Sequence, residues 1–429
     1  MFKLTYQLIN AEERIVWTGI TCTYLFYLTG TLYVVGALIG WALFVIMLLR
    51  VYVNGKLPSR ASVPVIIWVW VAGMFCMLLA LLVAHADYDM PVGQITKSTI
   101  GWAKGWALLA LIPLIGAMVS VRPQVVVRAC CVLASQSIVF LILGFSLAII
   151  GFDGQLYVSP LKAVGGPIST FEVNLFGLNP ETGKPRWPFF TPWAPAAGLL
   201  SCMFLIICLQ DNKRFWRRAG VLGALIMCVF CQSRTGWIIF LLLVPGLMMF
   251  RLIRQPIWII VMGVVFSCLF VFGEPVLEHV EQVHQDIKNS RPGSTRVRSA
   301  LASLAVQRWE SEAMLWGHGI VERGSKMVEH MPIGSHHSWY GLLFVKGIVG
   351  LLALAVPMSI TTLYLLVCAF YSRLAVSALL IMFVFVGYSF YENLEILAYL
   401  YWPALLWLGI VSNPLKSTLF NHQSLGVAV

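Results

Sequence analysis

Charge is scarce in this sequence. Of its 429 residues, 59% are hydrophobic and only 11% are Asp, Glu, Lys or Arg. Soluble domains carry about 25% charged residues, so this shortage excludes a soluble globular protein. Apolar segments recur along the whole chain, and a helix needs about 20 apolar residues to cross a membrane. Because backbone groups in lipid must find hydrogen bonds within their own segment, the sequence predicts an all-α, polytopic integral membrane protein.

The sequence also lacks several signatures of known chemistry. None of its ten cysteines falls in a polar segment, which excludes a disulfide framework. Cys228 and Cys231 have a CxxC spacing, but on an apolar helix this spacing indicates packing. Phosphate-binding glycine loops and Ser-His-Asp arrangements are missing. The acids and histidines of residues 278–286 share no single helical face, so we expect no metal ion and no cofactor.

Twelve apolar segments predict about twelve transmembrane helices. They cover approximately residues 15–29, 31–49, 63–83, 101–120, 129–150, 193–209, 219–232, 236–250, 257–272, 338–367, 374–390 and 396–411. The tenth segment is longer than a crossing needs, and Pro357 is expected to kink it. The predicted parts of the chain are residues 1–272 with nine helices, a loop at 273–337, residues 338–411 with three helices, and a tail at 412–429.

Lys and Arg cluster in every second short connection, which predicts the orientation in the membrane. By the positive-inside rule these connections are cytoplasmic, and both termini then lie on the cytoplasmic side as well. Two long loops, 151–192 and 273–337, face outward. Within the second loop, apolar spacing predicts an amphipathic helix over 275–288. A second amphipathic helix, capped by Ser294 or Thr295, is expected to follow it.

The end of the second loop places histidine at the start of a membrane helix. His336 and His337 precede Ser338-Trp339-Tyr340, with which the tenth apolar segment begins. A helix N-terminus disfavours the charged imidazolium, so the His337 ring is expected to stay neutral and able to accept a proton. Such a ring beside a hydroxyl group suits a general base. An interfacial histidine that only hydrogen-bonds lipid headgroups gives the same pattern, and this stretch alone favours that simpler interpretation.

Several arginines also fall at the outer side. Arg186 precedes the sixth predicted helix, Arg234 lies in a tight connection, and Arg296 and Arg298 open the second loop helix. The guanidinium group suits bidentate binding of phosphate. A single such arginine is best interpreted as contacting a headgroup. Several on one face, beside a candidate base, make a lipid-phosphate substrate a comparable alternative.

At these residues the sequence resembles a known family. His337-Ser338-Trp339-Tyr340-Gly341-Leu342, followed by Lys346-Gly347-Ile348-Val349-Gly350, resembles a motif of the O-antigen ligase and polymerase family of bacterial membrane glycosyltransferases. The family more often has Asn where this chain has Ser338. The resemblance covers roughly residues 180–350. Three further segments agree with it: Arg186-Trp187-Pro188 with Pro192 and Pro195; Ser233-Arg234; and Arg298, Trp309 and Gly317-His318-Gly319.

The resemblance implies a reaction and roles for these residues. An undecaprenyl pyrophosphate-linked glycan is transferred at the periplasmic face of the bacterial inner membrane, to a lipid A–core sugar if the protein is a ligase. His337 would activate the attacking hydroxyl, while Arg186, Arg234 and Arg298 would bind the pyrophosphate. Inversion at the anomeric carbon and independence of metal ions are expected. Further possible substrate contacts are Arg296, His336, Trp339 and Tyr340.

Other functions stay open at this point. A polymerase of the same family would use the same donor but a second lipid-linked repeat unit as acceptor; chain length and the single moderate loop favour the ligase. A transporter or flippase for lipid-linked sugars would place polar groups near the middle of the membrane, often on broken helices. A scaffold would leave the histidine and arginines unexplained. Membrane lipids are expected partners. Nucleic acid is not, because the net charge of +11 is spread over two sides of a membrane.

Overall fold

A computed structural model describes residues 8–54, 63–179, 183–252, 267, 292–328, 330–334 and 337–413. The predicted loop helix over 275–288 lies outside the described residues. So do the ninth predicted span at 257–272, except residue 267, and His336. The predicted tail is described only at residues 412 and 413.

The described chain is mainly α-helical. Its helices are α1 (Ala11–Thr21), α2 (Thr23–Leu28), α3 (Leu32–Asn54), α4 (Val65–Asp87), α5 (Val92–Lys104), α6 (Trp106–Met118), α7 (Pro123–Ile149), α8 (Ala194–Cys208), α9 (Arg214–Phe230), α10 (Arg234–Leu252), α11 (Pro292–Glu312), α12 (Ser338–Ala369), α13 (Arg373–Ser389) and α14 (Leu394–Ser412). Within the described residues, six segments are long and apolar enough to cross a membrane: α3, α4, α5 with α6, α7, α12 and α14. The polytopic helical class is therefore confirmed. The number twelve stays a prediction, because apolar helices such as α8 and α13 are shorter than a full crossing.

The segment between α7 and α8 adds two short two-stranded sheets to the mainly helical fold that the sequence predicted. Strand β1 (Gln155–Val158) pairs antiparallel with β2 (Glu172–Asn174), and β3 (Gly177–Leu178) pairs with β4 (Pro185–Arg186). Strands of two to four residues are too short for a period-two pattern to reveal them. The first sheet is fastened to α2, because the Tyr27 hydroxyl donates to the Asn174 carbonyl oxygen at 2.7 Å and accepts from the Asn174 N–H at 2.8 Å.

Helix α14 lies at the centre of the molecule. Its apolar stretch is 89% buried, and it packs most closely against α6. Small residues allow this approach. A Cβ added at Gly116 would lie 2.4 Å from the Leu406 carbonyl oxygen, and one added at Gly409 would lie 2.1 Å from that of Pro113. The first residue of α14, Leu394, lies beside the start of α12, because its N–H donates to the Ser338 hydroxyl at 3.1 Å.

Helix α12 is broken at Gly347, whose φ is 60° and ψ −162°; the kink predicted at Pro357, further along the same helix, stays a prediction. Residues 314–319 of the preceding loop occupy the break, and the backbone groups that the break exposes bond to this segment. The N–H groups of His318 and Gly319 donate to the carbonyls of Phe344 and Val345 at 2.9 Å each, and those of Ile348 and Val349 donate to Met314 and Leu315 at 3.0 and 3.3 Å. A break inside an apolar helix is stable only with such replacement partners. The loop therefore positions residues 338–346 as a separate outer piece of α12.

Three ion pairs join the helix ends on the predicted cytoplasmic side. Glu12 pairs with Arg50 at 2.7 Å, and Glu13 pairs with Arg122 at 2.7 Å. The third, between Asp211 and Arg128 on α7, is bidentate and buried, with distances of 2.6 and 2.8 Å. Because a buried charge is costly without its partner, this pair fixes the packing of α7 against the turn after α8.

Candidate active site

His337 caps the N-terminus of α12. Its Nδ1 accepts a hydrogen bond from the backbone N–H of Tyr340 at 3.4 Å, and its ring packs 4.2 Å from the Tyr340 ring and 5.7 Å from that of Phe390. Burial among these groups lowers the pKa of His337 to about 4. The ring is therefore neutral near pH 7, as expected, with desolvation as the cause.

The hydrogen bond to Nδ1 decides where the proton lies on the neutral ring. When Nδ1 of His337 accepts, the proton is on Nε2, and neither nitrogen has a free lone pair. The bond is longer than the usual 2.7–3.2 Å range for N–H donors, so it is weak. The imidazole can act as a base once this bond opens, either through Nδ1 itself or through Nε2 after the tautomer changes.

A cavity of about 260 Å³ lies in front of His337 and is closed on its other side by α11. Arg298 lines this cavity, whereas Arg296, which is also exposed on α11, does not. The predicted second loop helix is present, but it begins at Pro292, earlier than the expected cap at Ser294 or Thr295. The lining residues are Arg298, Ser299, Leu301, Ala302, Gly334, His337, Tyr340, Phe390 and Tyr391.

Arg186 and Arg234 lie together at a neighbouring turn. Arg186, at the end of β4, donates from Nε to the Cys231 carbonyl oxygen at 2.8 Å and from Nη2 to the Gln232 carbonyl oxygen at 3.3 Å. These bonds hold the turn between α9 and α10, where Gln232 has a φ of 50°. Arg234 is the first residue of α10, directly after this turn. The structure thus brings Arg186 and Arg234 close together but includes neither in the lining of the His337 cavity.

Glu392 is a site residue that the sequence did not single out. It lies between α13 and α14 and is only 4% exposed, and its Oε2 accepts from the Trp193 indole N–H at 2.9 Å. Burial raises its pKa to about 7, against the lowering effects of the Trp193 hydrogen bond and of the positive charges of Arg298 and Arg186. Glu392 therefore links the arginine of α11 electrostatically to the arginine of β4.

One signal in the sequence could have identified Glu392. The connection 390–393 between the last two apolar helices is short, so an acid placed there is held close to the hydrocarbon region and its neighbours. Such an acid needs a partner or a function.

Ser338 and Trp339 have structural contacts. The Ser338 hydroxyl donates to the Glu392 carbonyl oxygen at 2.6 Å and accepts from the Leu394 N–H at 3.1 Å. The Trp339 indole donates to the Ser389 hydroxyl at 2.9 Å. These bonds fasten the start of α12 to the connection between α13 and α14. As a result, Glu392 and the His337 cavity are held by one rigid junction.

Of the predicted site residues, His337, Tyr340 and Arg298 meet at one cavity. Arg186 interacts electrostatically with Glu392, as Arg298 does. Arg234 follows the turn whose carbonyl groups Arg186 binds. The arrangement offers positive charge, a neutral imidazole and an acid that titrates near pH 7. It suits an anionic substrate whose reaction moves a proton.

Residues 219–355 match a family model that is described as O-antigen ligase. The matched segment begins in α9 and ends within α12, so it contains Arg234, Arg298 and His337. Arg186 and Glu392 lie outside it. No curated protein matches the chain.

Proposed function

We propose that the chain transfers a glycan from undecaprenyl pyrophosphate to a sugar of lipid A–core, because its residues 219–355 match a family model described as O-antigen ligase. The reaction would take place at the periplasmic face of the bacterial inner membrane, with twelve crossings and both termini in the cytoplasm. The observation that carries this proposal is the cavity of about 260 Å³ that Arg298 and His337 line from opposite elements.

The arginines are proposed to bind the pyrophosphate of the donor. Arg298 reaches it from α11, and Arg186 and Arg234 approach from the turn between α9 and α10. A guanidinium group binds two phosphate oxygens at once and stabilises the charge that develops as the pyrophosphate leaves. The pyrophosphate would replace the Glu392 carboxylate as the anion nearest to Arg298 and Arg186. Because these positive charges then no longer stabilise its ionised form, Glu392 would take up a proton when the donor binds.

His337 is proposed to be the general base. When the acceptor hydroxyl enters, the long bond from the Tyr340 N–H opens, at an energy of about 0.5–1.5 kcal/mol. The freed nitrogen takes the hydroxyl proton while the oxygen attacks the anomeric carbon, and the bond to the pyrophosphate breaks. Direct displacement of this kind inverts the anomeric carbon. The pyrophosphate is already a good leaving group, so the mechanism uses no metal ion.

The break in α12 is the observation that would favour a transporter. Broken helices at mid-membrane form the substrate sites of many transporters, and Lys346 beside the break is buried. Here the chain's own residues 314–319 fill the break and bond to its free backbone groups. The break therefore has a structural explanation, and the enzyme remains the better proposal.

Transfer by the purified full chain tests the proposal. A defined undecaprenyl pyrophosphate glycan and lipid A–core are supplied, and the product is analysed for linkage and anomeric configuration. Loss of a general base lowers the rate by about 10²–10⁴-fold, so we expect this loss for His337→Ala with donor binding retained. Full activity of that variant would refute the base. Coupling of donor to donor alone would indicate a polymerase.

Arg298 and Arg296 form a matched pair for the donor site. Arg298→Ala is expected to raise the KM for the donor by about tenfold or more, since a charge-assisted contact contributes about 1.5–3 kcal/mol. Arg296→Ala, about half a helical turn away and outside the cavity lining, should stay within about threefold of the parent chain. Equal effects of the two changes would contradict the assignment.

A further inference from the structure

A second cavity of about 300 Å³ lies beside the first, along the neighbouring face of α12. The two cavities share Gly334, and the outer piece of α12 separates them: His337 and Tyr340 line one, whereas Ser338 and Gly341 line the other. From Ser338 to Lys346 the second cavity follows the helix for about 12 Å, at 1.5 Å per residue. It therefore extends from the outer face into the membrane domain, between α6, α12 and α14.

The polar groups of this cavity do not suit a hydrocarbon chain. Lys346 is only 3% exposed, and its charge interacts with that of Glu395 at the start of α14. Asn393, which caps α14, and Ser338 add an amide and a hydroxyl to the lining. A lipid tail here would cover the charged groups of Lys346 and Glu395 with hydrocarbon, which is unfavourable.

The charge balance does not suit a pyrophosphate either. Lys346 and Glu395 are of opposite sign, whereas the first cavity has a cation, Arg298, and a neutral histidine. The second cavity is lined by hydrogen-bond donors, hydrogen-bond acceptors and aromatic rings. The Trp106 indole N–H is buried and interacts with the Glu395 carboxyl group, and the Tyr33 ring lines the same space. An uncharged, polyhydroxylated ligand fits these features.

We propose that the second cavity binds a sugar ring of one of the two substrates, with Glu395 and Lys346 bonding its hydroxyls and Trp106 contacting it. This inference rests on the proposed function, because the shared residue Gly334 puts a sugar held here next to the reaction at His337. The volume suits one or two sugar rings within a site of ordinary size. The ring belongs either to the acceptor core or to the donor glycan, and the two sources are separated by experiment.

Kinetics with each substrate varied in turn make the first test. Trp106→Phe keeps the aromatic wall and removes the N–H, and Glu395→Gln keeps an acceptor and removes the charge. Each change should raise the KM of one substrate by about tenfold, the effect of one lost hydrogen bond, with little change in kcat. If the acceptor KM rises, the sugar is that of the core. If the donor KM rises, it is that of the glycan. If neither the donor KM nor the acceptor KM rises above its value in the control variant described below, the proposed sugar site is refuted.

The matched control is Trp407→Phe. Trp407 is a buried tryptophan of α14 whose indole donates to the Ser377 hydroxyl at 2.9 Å, and it lines neither cavity. Trp407→Phe also replaces a buried indole. If such a replacement raises KM only because it destabilises the fold, KM rises in this variant as well, although its contacts to the sugar are intact.

Direct binding separates this inference from the transferase proposal. Saturation-transfer NMR is recorded on the full chain with two lipid-free probes, a core oligosaccharide and the glycan released from the donor. Wild-type protein and His337→Ala should transfer saturation to one probe, and Trp106→Phe should transfer much less. This result supports the sugar site even if no transfer reaction is found. Absence of saturation in both probes, or an unchanged signal in Trp106→Phe, refutes the site whatever the enzyme assay shows.

Discussion

Replacement of Glu392 by Gln should change how donor binding depends on pH. The pKa of this acid is about 7, because burial opposes its ionisation. Above pH 7 its carboxylate competes with the pyrophosphate for Arg298 and Arg186, and below pH 7 the neutral acid does not. Gln remains neutral at every pH, and its side-chain carbonyl can still accept from the Trp193 indole. The substitution therefore removes the titration and keeps the hydrogen bond.

The size of the effect follows from the pKa. If the donor binds to the neutral form of Glu392, the binding-competent fraction falls tenfold per pH unit above 7. The donor Kd of the wild-type chain should then rise by at most about thirtyfold between pH 6 and pH 8.5. A pyrophosphate diester does not titrate in this range. Because the pKa of His337 is about 4, its ring also stays neutral throughout.

Donor affinity of the detergent-solubilised full chain is measured by titration calorimetry at constant ionic strength. Glu392→Gln should bind almost equally at pH 6 and pH 8.5, and at pH 8.5 it should bind more tightly than the wild type. Near pH 8 the wild type should take up about one proton per donor, seen as a dependence of heat on the buffer. Glu310→Gln, an exposed acid of α11, is the control and should keep the wild-type slope. Equal slopes in wild type and Glu392→Gln would refute the reasoning.

Two further predictions concern the fold. Gly347→Ala places a Cβ 2.2 Å from the Leu315 carbonyl oxygen at a φ of 60°, so the midpoint of thermal unfolding should drop sharply, or no folded protein should be obtained. The control is Gly93→Ala, which has open space around its Cβ and should leave the midpoint unchanged. Asp211→Asn leaves the buried Arg128 without its charge partner and should lower stability by about 3–5 kcal/mol, measured by denaturant titration in mild detergent; a change below about 1 kcal/mol would contradict this value.

The sequence predicted those parts of the molecule that depend on composition and local pattern. The apolar segment beginning at Ser338 and the loop helix carrying Arg298 are both present, because long apolar or amphipathic runs leave a clear periodic signal. The break at Gly347 was not predicted. The break exists because residues 314–319 bond to it, and that contact joins parts of the chain about thirty residues apart.

The candidate site likewise combines residues that a local sequence pattern indicates with residues that only the fold brings together. His337 and the arginines could be proposed as site residues because their residue types and flanking motifs carry a chemical signal. Glu392 was not proposed, because its burial and raised pKa arise from Trp193 of one segment and Arg298 and Arg186 of two others. These are tertiary effects, and the short connection 390–393 around Glu392 indicates only that the acid lies close to the hydrocarbon region.

These long-range contacts bear on where the reaction centre comes from. The family match covers residues 219–355, which include His337 and Arg298. Yet the start of α12 is fixed by the bonds of Ser338 to the connection before α14, and the acid facing the arginines comes from that connection. Arg186, from a strand before the matched segment, holds the turn that precedes Arg234. The matched segment therefore contains the proposed base and Arg298, while the segments before and after it set their positions and charge. Changes outside 219–355, such as Glu392→Gln, should consequently alter substrate binding without touching the general base.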